Sequence, residues 1–384
     1  MIHERSQGGL STGLGLPSQP TNRIGSPHFP LDRMEFSLFQ GLPTARLGQF
    51  HPREGRKVFR KITHFVYKRI ALQLLDVFLG WVPRYFRAVL MLATADSLHL
   101  RNLRFEIPLS SGEAMDEAFH LDMTAVPGDR AVIPFVAHRR GWEIVEPKMS
   151  LKCMPEIPSC EIIDLGANMG LYSLQFLALL KKAGRIRQVI RVHLIEPDPS
   201  LVLALSNNCE QFSNDVQFNI LAKAVGGKDG RAVFHIDQEN STNNTTFSEA
   251  IRLSGGTSRF QIDVDVLSGK TLIEALQLLS QTRLIYKSDL QGSDPEVLAT
   301  IPPEFWNRVE IMIIELWPRI LSEKRLALDV GHLRRLFLLF NYRASIDRNG
   351  NITELTDTTI DKILEDKRIT AHYNVFCARQ RPSN

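Results

Sequence analysis

From position 161 onward, short apolar runs alternate with stretches of helical periodicity, the pattern of a sheet whose strands are joined by helices. EIIDLG at 161–166 reads as a buried strand, and LYSLQFLALLKKAG at 171–184 as a helix that stops at Gly184. RVHLIEP (191–197) is a second strand, and SLVLALSNNCEQF (200–212) a second helix opened by Asp198-Pro199. VQFNILAKAV (216–225) reads as one continuous third strand. AVFHID (232–237) and FQIDVDV (260–266) read as two arms of a hairpin across the polar loop 238–258. A helix at 271–280 leads into RLIYKSDL (283–290), the fourth strand of the main sheet. A helix at 295–301, the strand VEIMIIEL (309–316), a helix at 333–340 and short strands at 342–346 and 373–378 complete the pattern.

Ahead of this core the texture differs. Residues 1–55 carry many Gly, Pro and Ser and read as disordered. Residues 56–110 read as a basic amphipathic helical segment, in which Arg56, Lys57, Arg60, Lys61, Lys68, Arg69, Arg84 and Arg87 interleave with aromatic residues and Leu. Within it, 56–100 has the composition of a helix lying on an anionic membrane surface, or equally of a helical cover for the core. Asp76 and Pro83 break every span that could approach the ~20 apolar residues of a membrane helix, so no transmembrane segment is expected. Residues 111–158 read as a mixed lead-in, and 159–384 as the α/β domain.

A chain of 384 residues can bury a full-sized core, and 43% apolar with 23% charged residues is ordinary for a globular protein. A net charge of +4 forces no basic face, so nucleic acid is not an expected partner. The four cysteines form no CxxC pair, and the start, MIHERSQGG, has no apolar core of a signal peptide. These features predict a cytoplasmic protein, with 56–100 the one candidate for peripheral membrane contact.

The candidate chemistry sits at strand ends. Asp164-Leu165-Gly166-Ala167-Asn168-Met169-Gly170 falls where the first strand turns into the first helix. Gly166 and Gly170 remove side chains where a bulky ligand must approach backbone. Their GxxxG spacing is not the GxGxxG of a dinucleotide site, and no Tyr-x-x-x-Lys pair follows, which argues against an NAD-dependent oxidoreductase. A leading carboxylate, Asp164, suits a ligand bearing an ammonium and a sulfonium, as S-adenosyl-L-methionine does. Glu196, at the end of the second strand, can accept two hydrogen bonds from a ribose. A glycine turn alone is as often a tight connection, and a lone Glu at a strand end is usually solvated; the pair at consecutive strand ends points to a nucleoside.

Lys287 and Asp289 are two apart, hence on one face of the fourth strand. Asp289 could take a proton from an acceptor hydroxyl and Lys287 could hold or polarise it; a structural Lys–Asp pair is the other reading. Gly292 would let the chain turn sharply beneath an acceptor. Glu315, ending the next strand, reads equally as an acceptor ligand or a solvated terminus. A metal shared by Asp289 and Glu315 is disfavoured for want of a third ligand, and His193 reads as a packed core histidine.

Four stretches, DLGANMG (164–170), EPDP (196–199), AVGGKDG (224–230) and KSDLQGSDPEVL (287–298), resemble the FkbM family of S-adenosylmethionine-dependent methyltransferases. Asp294 stands where that family more often has Glu. The resemblance covers roughly 157–318. It implies a class I methyltransferase fold, a Rossmann-like, seven-stranded, mostly parallel sheet with helices on both faces and an antiparallel last strand. It also implies donor contacts from Asp164, Gly166, Ala167, Asn168, Gly170, Glu196 and Asp198, and methylation of a hydroxyl on a small-molecule or glycan acceptor. A methyltransferase-like binding or scaffold protein without turnover is the alternative from another class.

Overall fold

The structure is a computed structural model describing residues 102–107, 119–124, 126, 144–237, 240–246, 260–318, 330–347, 350–366 and 372–383. The segments read as disordered (1–55) and as basic amphipathic helices (56–100) lie outside the described residues. Among the described residues no helix is long and apolar enough to cross a membrane.

The first described elements are strands. β1 (Asn102–Ile107) pairs antiparallel with β2 (Phe119–Thr124), so the helical reading does not extend to 110. Leu121 and Met123, alternate residues of β2, point into the core. The lead-in also holds a helix that its apolar pattern did not announce, α1 (Val145–Cys153), with Pro147 tolerated in its first turn.

The main sheet is built from β3 (Cys160–Leu165), β4 (Val189–Ile195), β5 (Gln217–Leu221), β9 (Arg283–Ser288), β10 (Val309–Leu316), β11 (Tyr342–Ile346), β12 (Ile352–Glu354) and β13 (Tyr373–Ala378). Its order is β12-β11-β13-β10-β9-β3-β4-β5. Strands β10, β9, β3, β4 and β5 run parallel, and β13 lies antiparallel between β10 and β11. The sheet has eight strands where seven were expected, the addition being the three-residue edge strand β12.

The run read as one third strand is two. Lys223 N–H returns to the Leu221 carbonyl at 3.0 Å, a three-residue turn that swings the chain out of the sheet. β6 (Ala224–Gly226) then joins a separate three-stranded sheet with β7 (Gly230–Ile236) and β8 (Phe260–Ser268), and β7 and β8 pair antiparallel as the hairpin pattern indicated.

Both faces of the main sheet are covered. α1, α2 (Leu171–Lys182) and α3 (Pro199–Cys209) pack on the face that carries Ile162, Ile285, Ile311 and Phe376. The opposite face, with Ile163, Leu165, Tyr286, Met312 and Ile314, takes α4 (Gly269–Leu276), α5 (Asp294–Thr300), α6 (Pro303–Trp306), α7 (Val330–Phe337) and α8 (Asp357–Leu364). This two-sided burial is why the central strands read as unbroken apolar runs rather than as alternation. Gly184 follows α2 with φ +69°, and Asp198 caps α3 by accepting from Ser200 N–H, as the sequence indicated. All four cysteines are free and buried; burial pushes the thiols of Cys153, Cys160 and Cys209 up to about 12, which makes them inert at neutral pH. His193 is buried, its ring held between Glu161 (2.8 Å) and Asn219 (3.1 Å), a packed core histidine.

Candidate active site

On the α1–α3 face, side chains from neighbouring strands line up in rows across the sheet. Ile162, Ile285 and Ile311 form one apolar row by register. Two residues further along, Asp164 stands opposite Lys287, and Lys287 opposite Ile313. One step beyond come Gly166, Asp289 and Glu315, with Glu315 opposite Asn374 of β13. The apolar face thus turns polar at the carboxyl ends of its parallel strands, the place where open α/β sheets bind ligands.

A cleft of about 850 Å³, counted out to its open mouth, lies there. Gly166, Ala167, Asn168, Tyr172, Glu196, Lys287 and Asp289 line it, together with Ala224, Val225, Phe234 and residues 241, 242 and 244–246 of the small sheet and its loop.

The glycine turn is stitched to its neighbours by backbone. Gly166 and Ala167 N–H both donate to the Ile195 carbonyl, and Asp289 N–H donates to the Leu165 carbonyl, all at 3.0 Å. Asn168 adopts a left-handed conformation (φ +53°), which Asn tolerates better than most residues. Its N–H donates to Glu196 Oε2 at 3.0 Å, while its side-chain amide reaches Ser241. Asp198 N–H donates to Glu196 Oε1, also at 3.0 Å. Glu196 is therefore fixed by two backbone donors at the cleft wall. Burial pushes its carboxyl up to about 8, the two N–H groups offsetting this only in part.

Lys287 is buried between two carboxylates, 3.3 Å from Asp164 and 3.8 Å from Asp289, with its ammonium 5.8 Å from the centre of the Tyr172 ring. Asp289 keeps about a quarter of its side chain exposed to the cleft. Gln291, itself left-handed at φ +50°, donates from one amide nitrogen to both Asp289 (2.9 Å) and Glu315 (3.0 Å). The Gln291 amide nitrogen thus bridges the two carboxyls. Glu315 also accepts from the Trp317 indole at 2.8 Å. Burial first, then the Asp289 charge, holds the Glu315 carboxyl well above the usual range. Asp294 sits behind the turn, taking the Ser288 hydroxyl on one oxygen and the Leu290 N–H on the other.

Several residues expected at the donor or acceptor lie elsewhere. Asp164 is fully buried beneath the cleft, ion-paired to Lys287 and hydrogen-bonded by Ser173 at 2.7 Å, so it does not face a ligand directly. Gly170 (φ +90°) is absent from the cleft wall; a Cβ there would meet Leu205 of α3 at 2.8 Å. Asp198 spends its oxygens on Ser200 and Asn244. Gly292 (φ +95°) shapes the turn, and Glu315 stands behind Gln291 rather than on the cleft wall. The structure brings together Gly166, Ala167, Asn168, Glu196, Lys287 and Asp289 as cleft residues. Sequence reasoning missed Tyr172 and Gln291, which line the cleft. Gln291 and Tyr172 carried a signal, since both sit within the stretches that form the strand-end turns or the helix leaving them.

No family model matches the chain, and no curated protein matches it. Among solved structures it is similar to the methyltransferase FkbM of Methylobacillus flagellatus KT (12% identity, 58% of this chain and 45% of that one, TM-score 0.33), so it spans under half of that protein. It is also similar to precorrin-6y C5,15-methyltransferase of Geobacter metallireducens (10% identity, 60% and 86% covered, TM-score 0.27). A third is TrmK of M. capricolum, solved with S-adenosyl-homocysteine (8% identity, 62% and 69% covered, TM-score 0.28).

Proposed function

We propose that this chain is an S-adenosylmethionine-dependent methyltransferase acting on a hydroxyl oxygen of a sugar, polyketide-like or lipid-like acceptor. The observation that carries the reading is Glu196: a buried carboxyl at a cleft wall, fixed by Asn168 and Asp198 N–H and short of hydrogen-bond donors. Two adjacent ribose hydroxyls supply the donors it lacks. The backbone of 166–168 flanks that point, and the apolar Ala224, Val225 and Phe234 offer a surface for a purine ring.

When bound, S-adenosylmethionine supplies a methyl group on a positively charged sulfur. The residues at the end of β9 do the rest. Asp289, exposed to the cleft, accepts the acceptor's hydroxyl proton as the oxygen–carbon bond forms and the carbon–sulfur bond breaks. The proton then passes to solvent, and S-adenosylhomocysteine leaves. Lys287 keeps Asp289 oriented, anchored from behind by Asp164. Gln291 fixes the other Asp289 oxygen and aligns it with the cleft.

A turnover screen of sugar and lipid-linked acceptors with methyl-labelled donor tests the reading. Labelled methyl ether plus S-adenosylhomocysteine supports it. Donor binding without product on any acceptor favours a methyltransferase-like binding protein instead.

A further inference from the structure

The two residues that hold Glu196 are each tied a second time, to one short segment. Asn168 and Asp198 meet the Glu196 oxygens with their backbone N–H groups. Their side chains reach instead to residues 241–244, in the connection between β7 and β8. Asn168 Nδ2 donates to the Ser241 carbonyl at 3.2 Å and to the Ser241 hydroxyl at 3.1 Å. Asp198 Oδ2 accepts from Asn244 Nδ2 at 3.1 Å, and Asn244 Oδ1 accepts in turn from Asp237 N–H at 2.8 Å.

The backbone of the segment is anchored elsewhere. Thr245 and His235 exchange both N–H to carbonyl bonds, at 2.9 and 3.1 Å, which fastens the segment to β7 of the small sheet. It therefore belongs to the small sheet by its backbone and to the turns after β3 and β4 by side chains. Residues 240–246 carry no charge, yet Ser241, Asn243 and Thr245 are buried. Buried amides and hydroxyls keep hydrogen-bond partners, so these bonds decide where the segment sits. Ser241, Thr242 and Asn244 line the cleft together with Glu196.

We propose that Asn168 and Asn244 are positioning residues for Glu196, which makes the 241–246 segment a wall of the methyl donor's site and sets its place together with the aim of the carboxylate. This rests on reading the cleft as the site of S-adenosylmethionine. A carboxylate that takes two adjacent ribose hydroxyls must be held in one orientation before the ligand arrives, or binding pays to order it. The two N–H groups that orient Glu196 lie on different turns, after β3 and after β4. The segment spans those turns and fixes one against the other through Asn168–Ser241 and Asn244–Asp198. With either tie cut, both N–H groups remain, but the turns that carry them are no longer held in register.

The test is calorimetric titration of the full chain with S-adenosylmethionine. Asn168→Gly keeps the backbone N–H and accepts the φ of +53°, so it removes only the tie to Ser241; affinity should fall about 3–10-fold. In a Glu196→Ala background the same substitution should cost less than about twofold, because the group it positions is gone. Asn244→Asp sets a second carboxylate against Asp198 and should also weaken binding. Adding Asp198→Asn exchanges hydrogen-bond donor and acceptor across the tie and should restore most of the affinity. A merely structural tie would lower the melting temperature and leave affinity unchanged. Unchanged affinity in Asn168→Gly, an equal loss with and without Glu196, or no rescue by Asp198→Asn overturns the proposal. A parent chain that binds no S-adenosylmethionine instead defeats the methyltransferase reading, so the two failures are distinct.

Discussion

Gly166 stands against the backbone carbonyl of Asp289: a Cβ built on the glycine would lie 2.0 Å from that oxygen. The turn beside the donor cleft and the turn carrying the proposed base are therefore in direct contact. From the sequence this glycine reads as bare backbone left open for a ligand, yet what fills the space is the protein's own chain. Gly166→Val should consequently destabilise the fold and displace Asp289, rather than remove a ligand contact from an intact domain. The left-handed φ of +72° alone costs a side-chain-bearing residue ~1–2 kcal/mol, before the clash is counted. Thermal unfolding should show a midpoint lower by about 4 °C or more. A variant that melts like the parent contradicts the close approach.

Glu196 should couple donor binding to proton release. Its folded-state carboxyl is raised to about 8, so below that pH it holds a proton, and hydrogen bonds from ribose hydroxyls favour the ionised form. Binding at pH 7 should release a fraction of a proton, and affinity should rise with pH until about 8 and then level off. Calorimetry in buffers of different ionisation heat measures the released proton directly. Glu196→Gln should abolish the release.

Much of this site was legible because strand ends announce themselves. CEIIDL, RLIYKS and VEIMIIEL are buried on both faces and bounded by glycine or polar turns, so their carboxyl ends, with Asp164, Lys287 and Glu315, could be placed from the pattern. What escaped was whatever depends on a second element. Asp164 and Lys287 meet only because β3 and β9 are neighbours, although the two residues are 123 positions apart in the chain, and no periodicity records that. The departure of β6 from β5 turns on a three-residue turn inside an apolar run. α1 hid behind Pro147 and a polar composition.

Asp289→Asn should lower turnover by ~10²–10⁴ while leaving donor affinity nearly intact, because Glu196 and the 166–168 backbone hold the donor side of the cleft. Lys287→Met should lose less rate but more stability, since it strands the buried Asp164 without its cation. Steady-state kinetics beside donor titration separates the two effects. Normal turnover in Asp289→Asn would make it a structural carboxylate.

Asp294 should matter through the turn it holds. Asp294→Ala removes the acceptors for the buried Ser288 hydroxyl and the part-buried Leu290 N–H, the first of which alone costs ~1–3 kcal/mol when left without a partner. Asp294→Asn, which keeps one acceptor oxygen, should recover part of both stability and rate. Equal damage from the two substitutions would argue that charge, not the hydrogen bonds, is what the turn needs.

The most direct test of the account is calorimetric titration of the full chain with S-adenosylmethionine, beside the same titration of Glu196→Ala. The prediction is one donor per chain, with affinity lowered about 10–100-fold in the variant, the loss of charge-assisted hydrogen bonds worth ~1.5–3 kcal/mol. No binding by the parent chain, or equal affinity in parent and variant, would contradict it.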